Sequence, residues 1–174
     1  KQFSREGCMV ALNARSDINQ DVVDSVLRSV SVIGDVSNER GAKKVVEQAV
    51  QELGGLDIVI CNVGSGRSVR PGHESFVEWQ KSFNSNFFST TSVVEAARPF
   101  LKDRSSAIVC ISSICGGEVI PGAPITYSVA KAALNAYVKG ISRPLGEEGI
   151  RICAIAPGNM FFEGSVWESK VKED

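Results

Sequence analysis

The chain has 174 residues, of which 43% are hydrophobic and 22% are charged, and its net charge is −1. This length and composition are typical of one globular domain with its own core. The balanced charge argues against a nucleic-acid surface, and no apolar run is long enough for a membrane span.

The five cysteines are scattered, no C-x-x-C pair exists, and the odd count argues against a disulfide framework. We therefore expect reduced, buried thiols in a cytoplasmic protein. The chain opens on KQFSREG with no apolar run behind it, which argues against a signal peptide. His73 is the single histidine of the sequence, so we expect no metal site. The cysteines are Cys8, Cys61, Cys110, Cys115 and Cys153.

Short runs rich in valine, isoleucine and cysteine alternate with longer helical patterns. The runs predict strands that are buried on both faces. KQFSREG is typical of the end of a helix. The alternation predicts an α/β fold, a doubly wound and mostly parallel sheet with helices on both faces. The predicted strands span residues 8–12, 29–33, 56–63, 106–112 and 151–156.

Three helices are predicted clearly, and a weaker one spans about 18–28. Asn38 caps the first, which runs to Leu53 and ends at Gly54-Gly55. The second spans about 75–101 and the third about 124–143. Pro144 is expected to break the third helix and to begin a separate turn.

Polar, small or turn-forming residues follow every predicted strand. Ligands bind beyond the carboxyl ends of the strands in sheets of this kind. We therefore expect these strand ends to line one elongated cleft. The residues are Arg15 after the first strand, Asp35 and Val36 after the second, Asn62, Gly64 and Gly66 after the third, Ser112 and Ser113 after the fourth, and Pro157 and Gly158 after the fifth.

The predicted helix ITYSVAKAALNAY carries Tyr127 and Lys131 four residues apart, on one helical face. An ammonium stabilises a neighbouring phenolate, and such a tyrosine can protonate a carbonyl oxygen or deprotonate an alcohol. The pair alone is weak evidence, because the same spacing arises by chance on many surface helices.

Five motifs in the same order resemble the short-chain dehydrogenase/reductase (SDR) family over nearly the whole chain. Y127-SVA-K131 is similar to its Tyr-x-x-x-Lys motif, and Ser113 in IVCISS to its catalytic serine. WQKSFNSN resembles the segment of its fourth catalytic residue, and the spacing from Trp79 favours Asn86 over Asn84. The remaining matches are CNVG (61–64), a variant of Asn-Asn-Ala-Gly, and GIRICAIAPG (149–158).

The resemblance implies hydride exchange between a nicotinamide cofactor and a carbonyl or alcohol carbon. Tyr127 would then transfer the proton, and Ser113 would bind the substrate oxygen and stabilise developing charge. Lys131 would stabilise the phenolate and hold the nicotinamide ribose, while Asn86 would fix a water that connects Lys131 to solvent. Ser112 is interpreted as structural.

The residues at the end of the first predicted strand indicate which cofactor is preferred. Relatives that prefer NAD usually place an aspartate where this chain has Ala14, and Arg15 follows. A guanidinium can bind a 2′-phosphate, so we expect NADP(H) to be preferred, with NAD(H) as the alternative. Ser16 would add a hydroxyl. The resemblance also implies adenine contacts at Asp35 and Val36, with Asn62 and Gly64 lining the path of the adenosine ribose. Pro157 and Gly158 would lie beside the nicotinamide.

The largest departure from the family is the missing first strand with its glycine-rich pyrophosphate turn. GSGRS (64–68) follows a middle strand and is not that turn. We interpret residues 1–174 as a single Rossmann-like domain that is incomplete at both ends. Cys61, Cys110 and Cys153 stand where relatives often carry asparagine, and we interpret them as core residues.

The leading hypothesis is an NADP-dependent reductase or dehydrogenase, with 3-oxoacyl thioesters, sugars or steroid-like molecules as candidate substrates. The alternatives are a catalytically silent nucleotide-binding sensor or scaffold, and lyase or epimerase chemistry. In the family, the helices that carry the Ala130-Ala133-Ala136 and Val93-Val94-Ala97-Phe100 stripes pair between subunits. This implies a homo-oligomer, a tetramer or a dimer, although core packing explains the stripes equally well.

Overall fold

The structure is a computed structural model and describes residues 1–101 and 105–160. Six helices and five strands alternate along this part of the chain. The predicted helical start and all five predicted strands are confirmed, with shifted ends. The strands are Val10–Ala14 (β1), Ser29–Ile33 (β2), Ile58–Cys61 (β3), Ala107–Ile111 (β4) and Arg151–Ile155 (β5). The helices are Gln2–Arg5 (α1), Gln20–Asp24 (α2), Glu39–Leu53 (α3), Phe76–Phe83 (α4), Ser89–Leu101 (α5) and Ile125–Glu147 (α6).

Helix α3 begins and ends where the sequence predicts. The side chain of Asn38 accepts a hydrogen bond from the Gly41 amide at 2.9 Å, which satisfies one free N–H of the first turn. Gly54 ends the helix in the left-handed conformation, with φ at 75°.

The single helix predicted over residues 75–101 is divided into three parts. A π-helical turn, Asn84–Phe88, lies between α4 and α5. Such turns insert one extra residue into a helix and are frequent at functional sites. The pattern of apolar residues cannot show this insertion, because it changes the local period only within one turn.

The prediction that Pro144 breaks the third helix is wrong. Helix α6 continues through Pro144 to Glu147. Pro144 lies on the exposed side, while Leu145 is completely buried and fixes the last turn in the core. The burial of Leu145 therefore offsets the loss of the backbone hydrogen bond that Pro144 cannot donate.

The strands form two parallel sheets among the described residues. The pair β1-β2 makes one sheet, and the order β3-β4-β5 makes the other. Cys61 and Cys110 are direct neighbours across β3 and β4. The hydrogen bond to Cys110, together with burial, raises the pKa of the Cys61 thiol.

The expectation that the strands are buried on both faces is wrong for β3 and β5. Residues from α3, α5 and α6 share one core with Cys61, Ile108 and Cys110. The opposite face is open, since Ile58 and Ile60 are 43% and 40% exposed. Cys61 and Cys110 are buried as predicted, whereas Cys153 on β5 is exposed, which corrects its interpretation as a core residue.

A cleft of about 870 Å³ lies beside the edges of β1 and β3 that pair with no other described strand. Its walls come from these two strands, and side chains of α3 and α5 complete its lining. Lining residues include Met9, Ala11, Val45, Ile58 and Val93, so much of its surface is apolar. The cleft separates the two sheets.

None of the helices described by the structure is both long enough and apolar enough to cross a bilayer.

Candidate active site

A cavity of about 140 Å³ lies at the carboxyl ends of β3 and β4. Its lining brings together three of the predicted catalytic residues, Asn86, Tyr127 and Lys131. These residues come from the π-helical turn and from α6, two elements that are distant in the chain. The other lining residues are Asn62, Gly64, Ser65, Gly66, Ile111 and Ser112.

Lys131 lies beneath the ring of Tyr127. Its Nζ is 5.8 Å from the ring centroid, and the whole side chain is only 4% exposed. Burial lowers the pKa of Lys131, because the ammonium loses water. Nζ donates one hydrogen bond to the carbonyl oxygen of Ile111 at 2.7 Å. A buried ammonium next to a phenol therefore exists at this site, as the Tyr-x-x-x-Lys spacing predicts.

Asn86 is 1% exposed and is hydrogen-bonded on both sides of its amide. Its Oδ1 accepts from the Ser65 amide at 2.9 Å, and its Nδ2 donates to the carbonyl oxygens of Ser65 and Ser82, both at 3.0 Å. Asn84 is exposed instead. Asn86 thus fixes the loop after β3 against the start of the π-helical turn.

One of the two glycines in this loop is needed for its close approach to the catalytic candidates. A Cβ at Gly64 would lie 2.8 Å from Asn86 Oδ1 and 3.3 Å from Lys131 Nζ. A Cβ at Gly66 would lie 3.9 Å from Cζ of Tyr127, which is ordinary contact. Gly64 is therefore required for close approach, whereas Gly66 is not.

Ser113 is 8% exposed and follows β4 directly. Its Oγ accepts a hydrogen bond from the Cys115 amide at 3.2 Å and so caps the short 3₁₀ turn Ile114–Gly116. Ser112, the preceding residue, lines the cavity, whereas Ser113 is not among the lining residues. The Ser113 hydroxyl keeps its own proton for donation, because the capping contact uses only a lone pair.

Four of the residues predicted to bind the adenosine half of the cofactor follow β1 and β2. Arg15 and Ser16 are exposed. The hydrogen bond from the Ser37 amide to Asp35, at 2.9 Å, lowers the pKa of Asp35, and the charge of Arg15 adds a smaller effect. Arg15 and Asp35 therefore lie at the same sheet edge, although they follow different strands. Val36 is 4% exposed and packs in the core against α3, which leaves little of it for adenine.

Pro157 and Gly158 lie against the 3₁₀ turn after β4. The Ile114 amide donates to the Pro157 carbonyl oxygen at 3.1 Å. A Cβ at Gly158 would be 3.9 Å from Cδ1 of Ile114. The ends of β4 and β5 are thus joined next to Ser113.

Sequence reasoning missed Ser65 and Asn135. Ser65 contributes through its backbone, so its side chain carries no signal. Asn135 follows Lys131 by four residues and shares the helical face of Tyr127 and Lys131. The four-residue spacing from Lys131 was the sequence signal by which Asn135 could have been found.

Comparison with known proteins identifies the family. The family model described as "Enoyl-(Acyl carrier protein) reductase" matches residues 1–163. The chain belongs to the short-chain dehydrogenase/reductase family. The resemblance inferred from the five motifs is confirmed, and so is the α/β fold class.

Two curated SDR relatives and one solved structure illustrate the similarity. Isoepoxydon dehydrogenase patN of Penicillium expansum is 32% identical over 178 residues, covering 96% of this chain and 66% of the relative. The 3-oxoacyl-[acyl-carrier-protein] reductase FabG of Chlamydia muridarum is 34% identical over 165 residues, covering 91% and 66%. The chain therefore spans about two thirds of the length of these relatives. The structure "ElxO with NADP Bound" superposes with a TM-score of 0.88 at 24% identity, over 99% of this chain and 72% of that one.

Proposed function

We propose that the protein transfers hydride between NADP(H) and a ketone or secondary alcohol, with Tyr127 as the proton donor or acceptor. The observation that carries this proposal is the buried Lys131 ammonium under the Tyr127 ring, in one cavity with Asn86. Burying an ammonium is unfavourable for folding, so its retention next to a phenol favours a chemical role.

The donors at this site fit the nicotinamide–ribose part of a cofactor. The Lys131 ammonium has three N–H groups, and the described residues provide one acceptor for it, the carbonyl oxygen of Ile111. The remaining donors suit ribose hydroxyls. A bound nicotinamide supplies or accepts the hydride, while Pro157 and Gly158 would border it.

Side chains of the protein would carry out the proton transfer. Tyr127 would deliver its phenolic proton to the substrate oxygen during reduction and would take it back during oxidation. Lys131 would stabilise the phenolate that forms, and the Ser113 hydroxyl would hydrogen-bond the same substrate oxygen. Asn86 would hold the water that returns a proton to Lys131. Its direct hydrogen bonds to Ser65 and Ser82 give it a second task, which is to order the loop over the cavity.

The preference for NADP(H) is supported by Arg15. Its exposed guanidinium follows β1 at the sheet edge where Asp35 follows β2, and it can form a two-point contact with a 2′-phosphate. NAD(H) is the alternative cofactor. Among substrates, the FabG relative supports a 3-oxoacyl thioester.

The cleft beside β1 and β3 bears on cofactor binding. We propose that it accepts one additional extended strand, the first strand that the family resemblance implies, with its glycine-rich turn at the pyrophosphate. Two free strand edges and apolar walls support this proposal. Unpaired edges are open to strand addition, and one strand can satisfy both.

Assembly into a homo-oligomer, a tetramer or a dimer, remains our proposal. Phe76 on α4 is 75% exposed and Val129 on α6 is 41% exposed, so apolar side chains are available on these two helices. Within the predicted stripes, Val94, Ala97 and Ala130 are buried in the core instead. Light scattering of the full-length protein tests the proposal, and a monomeric mass would contradict it.

Turnover of the full-length protein with NADPH and a panel of carbonyl compounds tests the main proposal. Tyr127→Phe is expected to reduce kcat by at least about 100-fold, because it removes the proton donor. Tyr137→Phe is the matched control, since Tyr137 lies on the same helix but packs against Phe87, with ring centroids 6.1 Å apart. Equal turnover in Tyr127→Phe and wild type would refute the mechanism. Cofactor binding without any turnover would favour the silent sensor or scaffold.

A further inference from the structure

A hydrogen-bonded clamp joins the segment around Ser113 to helix α6. We define the clamp as Ser112, Gly116 and Asn135. The Ser112 hydroxyl donates to Oδ1 of Asn135 at 2.6 Å. Nδ2 of Asn135 donates to the carbonyl oxygen of Gly116 at 3.2 Å. One amide on α6 therefore contacts the chain both before and after Ser113.

Close packing reinforces the clamp at Gly116. A Cβ at Gly116 would lie 2.7 Å from the carbonyl carbon of Lys131 and 2.8 Å from its oxygen. It would also lie 2.8 Å from Nδ2 of Asn135. The 3₁₀ turn after β4 thus lies directly on the helix backbone at Lys131, and no side chain fits between them.

The clamp connects the two elements whose relative position matters for the proposed reaction. Ser113 is carried by the end of β4, whereas Tyr127 and Lys131 are carried by α6. Asn135 lies one helical turn beyond Lys131 on the same face. Ser112 is also tied to β5, since its amide donates to the Ile155 carbonyl oxygen at 2.7 Å.

We propose that Asn135 is a positioning residue that fixes the Ser113 hydroxyl relative to Tyr127 and Lys131. The inference rests on the proposed hydride-transfer function. Asn135 acts on the reaction only through Ser112 and Gly116. Misplacing a reacting group by about 1 Å can reduce the rate by about 100-fold, so a loosened clamp is expected to lower kcat.

The principal variants are Asn135→Leu and Asn135→Asp in the full-length protein. Leucine removes both hydrogen bonds, whereas aspartate still accepts from Ser112 but no longer donates to Gly116. We expect kcat to fall by about 10-fold to 100-fold in both variants, because aspartate also places a carboxylate oxygen against the Gly116 carbonyl oxygen. The KM for NADPH is expected to stay within about twofold of wild type. Asn135→Asp also provides an isosteric variant if Asn135→Leu fails to fold.

A double variant separates positioning from a general loss of stability. Ser112→Ala and Asn135→Leu break the same hydrogen bond, so their combined effect on kcat is expected to be smaller than the product of the single effects. Ser142→Ala is the matched control, because Ser142 lies on α6 and donates only to the Lys139 carbonyl oxygen of its own helix. Independent, multiplicative effects of Ser112→Ala and Asn135→Leu would overturn the clamp.

Hydrogen exchange gives a readout that does not depend on turnover. In Asn135→Leu the amides of residues 114–117 are expected to exchange at least several-fold faster, while those of β4 keep their wild-type rates. Unchanged exchange in this segment would overturn the inference. If Tyr127→Phe turns over as fast as wild type, the proposed function fails, and the exchange result still decides whether the clamp exists. If Tyr127→Phe is inactive and Asn135→Leu is fully active, only the positioning role fails.

Discussion

The amide of Asn86 binds both backbone groups of Ser65. Oδ1 accepts from the Ser65 amide at 2.9 Å, and Nδ2 donates to the Ser65 carbonyl oxygen at 3.0 Å. This two-sided contact fixes the loop after β3 more firmly than one hydrogen bond would. It explains how a loop that is largely exposed keeps Gly64 and Gly66 beside the cavity.

Removing the amide of Asn86 is expected to destabilise the fold. In Asn86→Leu the partners at Ser65 and Ser82 lose their hydrogen bonds, which is expected to lower the free energy of unfolding by about 2 kcal/mol. Asn84→Leu is the matched control, because Asn84 lies in the same π-helical turn and is exposed. Urea unfolding measures both variants. A similar loss of unfolding free energy in Asn86→Leu and Asn84→Leu would show that the contact with Ser65 does not stabilise the fold.

Lys131→Met is expected to raise thermal stability at neutral pH and to abolish activity. Burial lowers the pKa of Lys131 from the ordinary value of 10.5, so the unfolded chain binds more protons than the folded one between the two values. The wild type therefore gains stability as the pH rises through this window and loses it as the pH falls. Lys131→Met buries no ammonium, so the difference in stability between the variant and the wild type is expected to shrink as the pH approaches 10.5.

Calorimetry between pH 7 and 10 measures this effect, with an expected advantage for Lys131→Met of on the order of a few degrees in Tm at pH 7. Lys139→Met is the control, since Lys139 is exposed on the same helix. A Tm advantage that is absent at pH 7, or that grows with pH, would contradict the assignment of Lys131 as a desolvated cation.

Gly64→Ala is expected to disturb the site more than Gly66→Ala. The new methyl group would lie 2.8 Å from Asn86 Oδ1, so either the loop or the Asn86 amide must move. Overpacking of this kind lowers the free energy of unfolding by about 1–3 kcal/mol. At Gly66 the nearest atom is 3.9 Å away, so Gly66→Ala serves as the control. Unfolding and NADPH-binding measurements on the two variants would reveal the difference, and equal results would count against close packing at Gly64.

Much of the fold and part of the site followed from local patterns. Asn38 and Gly54 define α3 through interactions within a few residues, and Tyr127 with Lys131 needs only helical periodicity. The π-helical turn, the contact from Asn135 to Ser112 and the open face at Ile58 depend on packing between distant segments. The helix that continues through Pro144 is a further case, since the burial of Leu145 decides it.

Arg15→Glu is expected to reverse the preference between NADPH and NADH. A carboxylate at this position repels a 2′-phosphate and can accept from a 2′-hydroxyl, so kcat/KM with NADPH should fall by at least about 10-fold. Arg5→Glu makes the same charge change at another exposed position and is the control. Initial rates with both cofactors provide the measurement. A variant that still prefers NADPH would refute the role of Arg15.

Filling the cleft beside β1 and β3 is expected to stabilise the chain and to strengthen cofactor binding. The test joins a strand of about five alternating valine and isoleucine residues, a glycine-rich turn and a helical connection of about ten residues to the amino end of residues 1–174. Residues 1–3 are close to the cleft, since Lys1 and Phe3 contribute to its lining. A strand there would pair with both free edges and cover the apolar wall formed with α3 and α5.

The control extension carries a proline at the centre of the strand, because proline cannot donate a ladder hydrogen bond. We expect the unbroken extension to raise Tm by several degrees over the control and to lower the Kd for NADPH, as followed by the fluorescence of the cofactor. Equal Tm and Kd values for the two extensions would show that the cleft does not accept a strand. A rise in Tm without tighter NADPH binding would keep the strand in the cleft but would remove the pyrophosphate role of its turn.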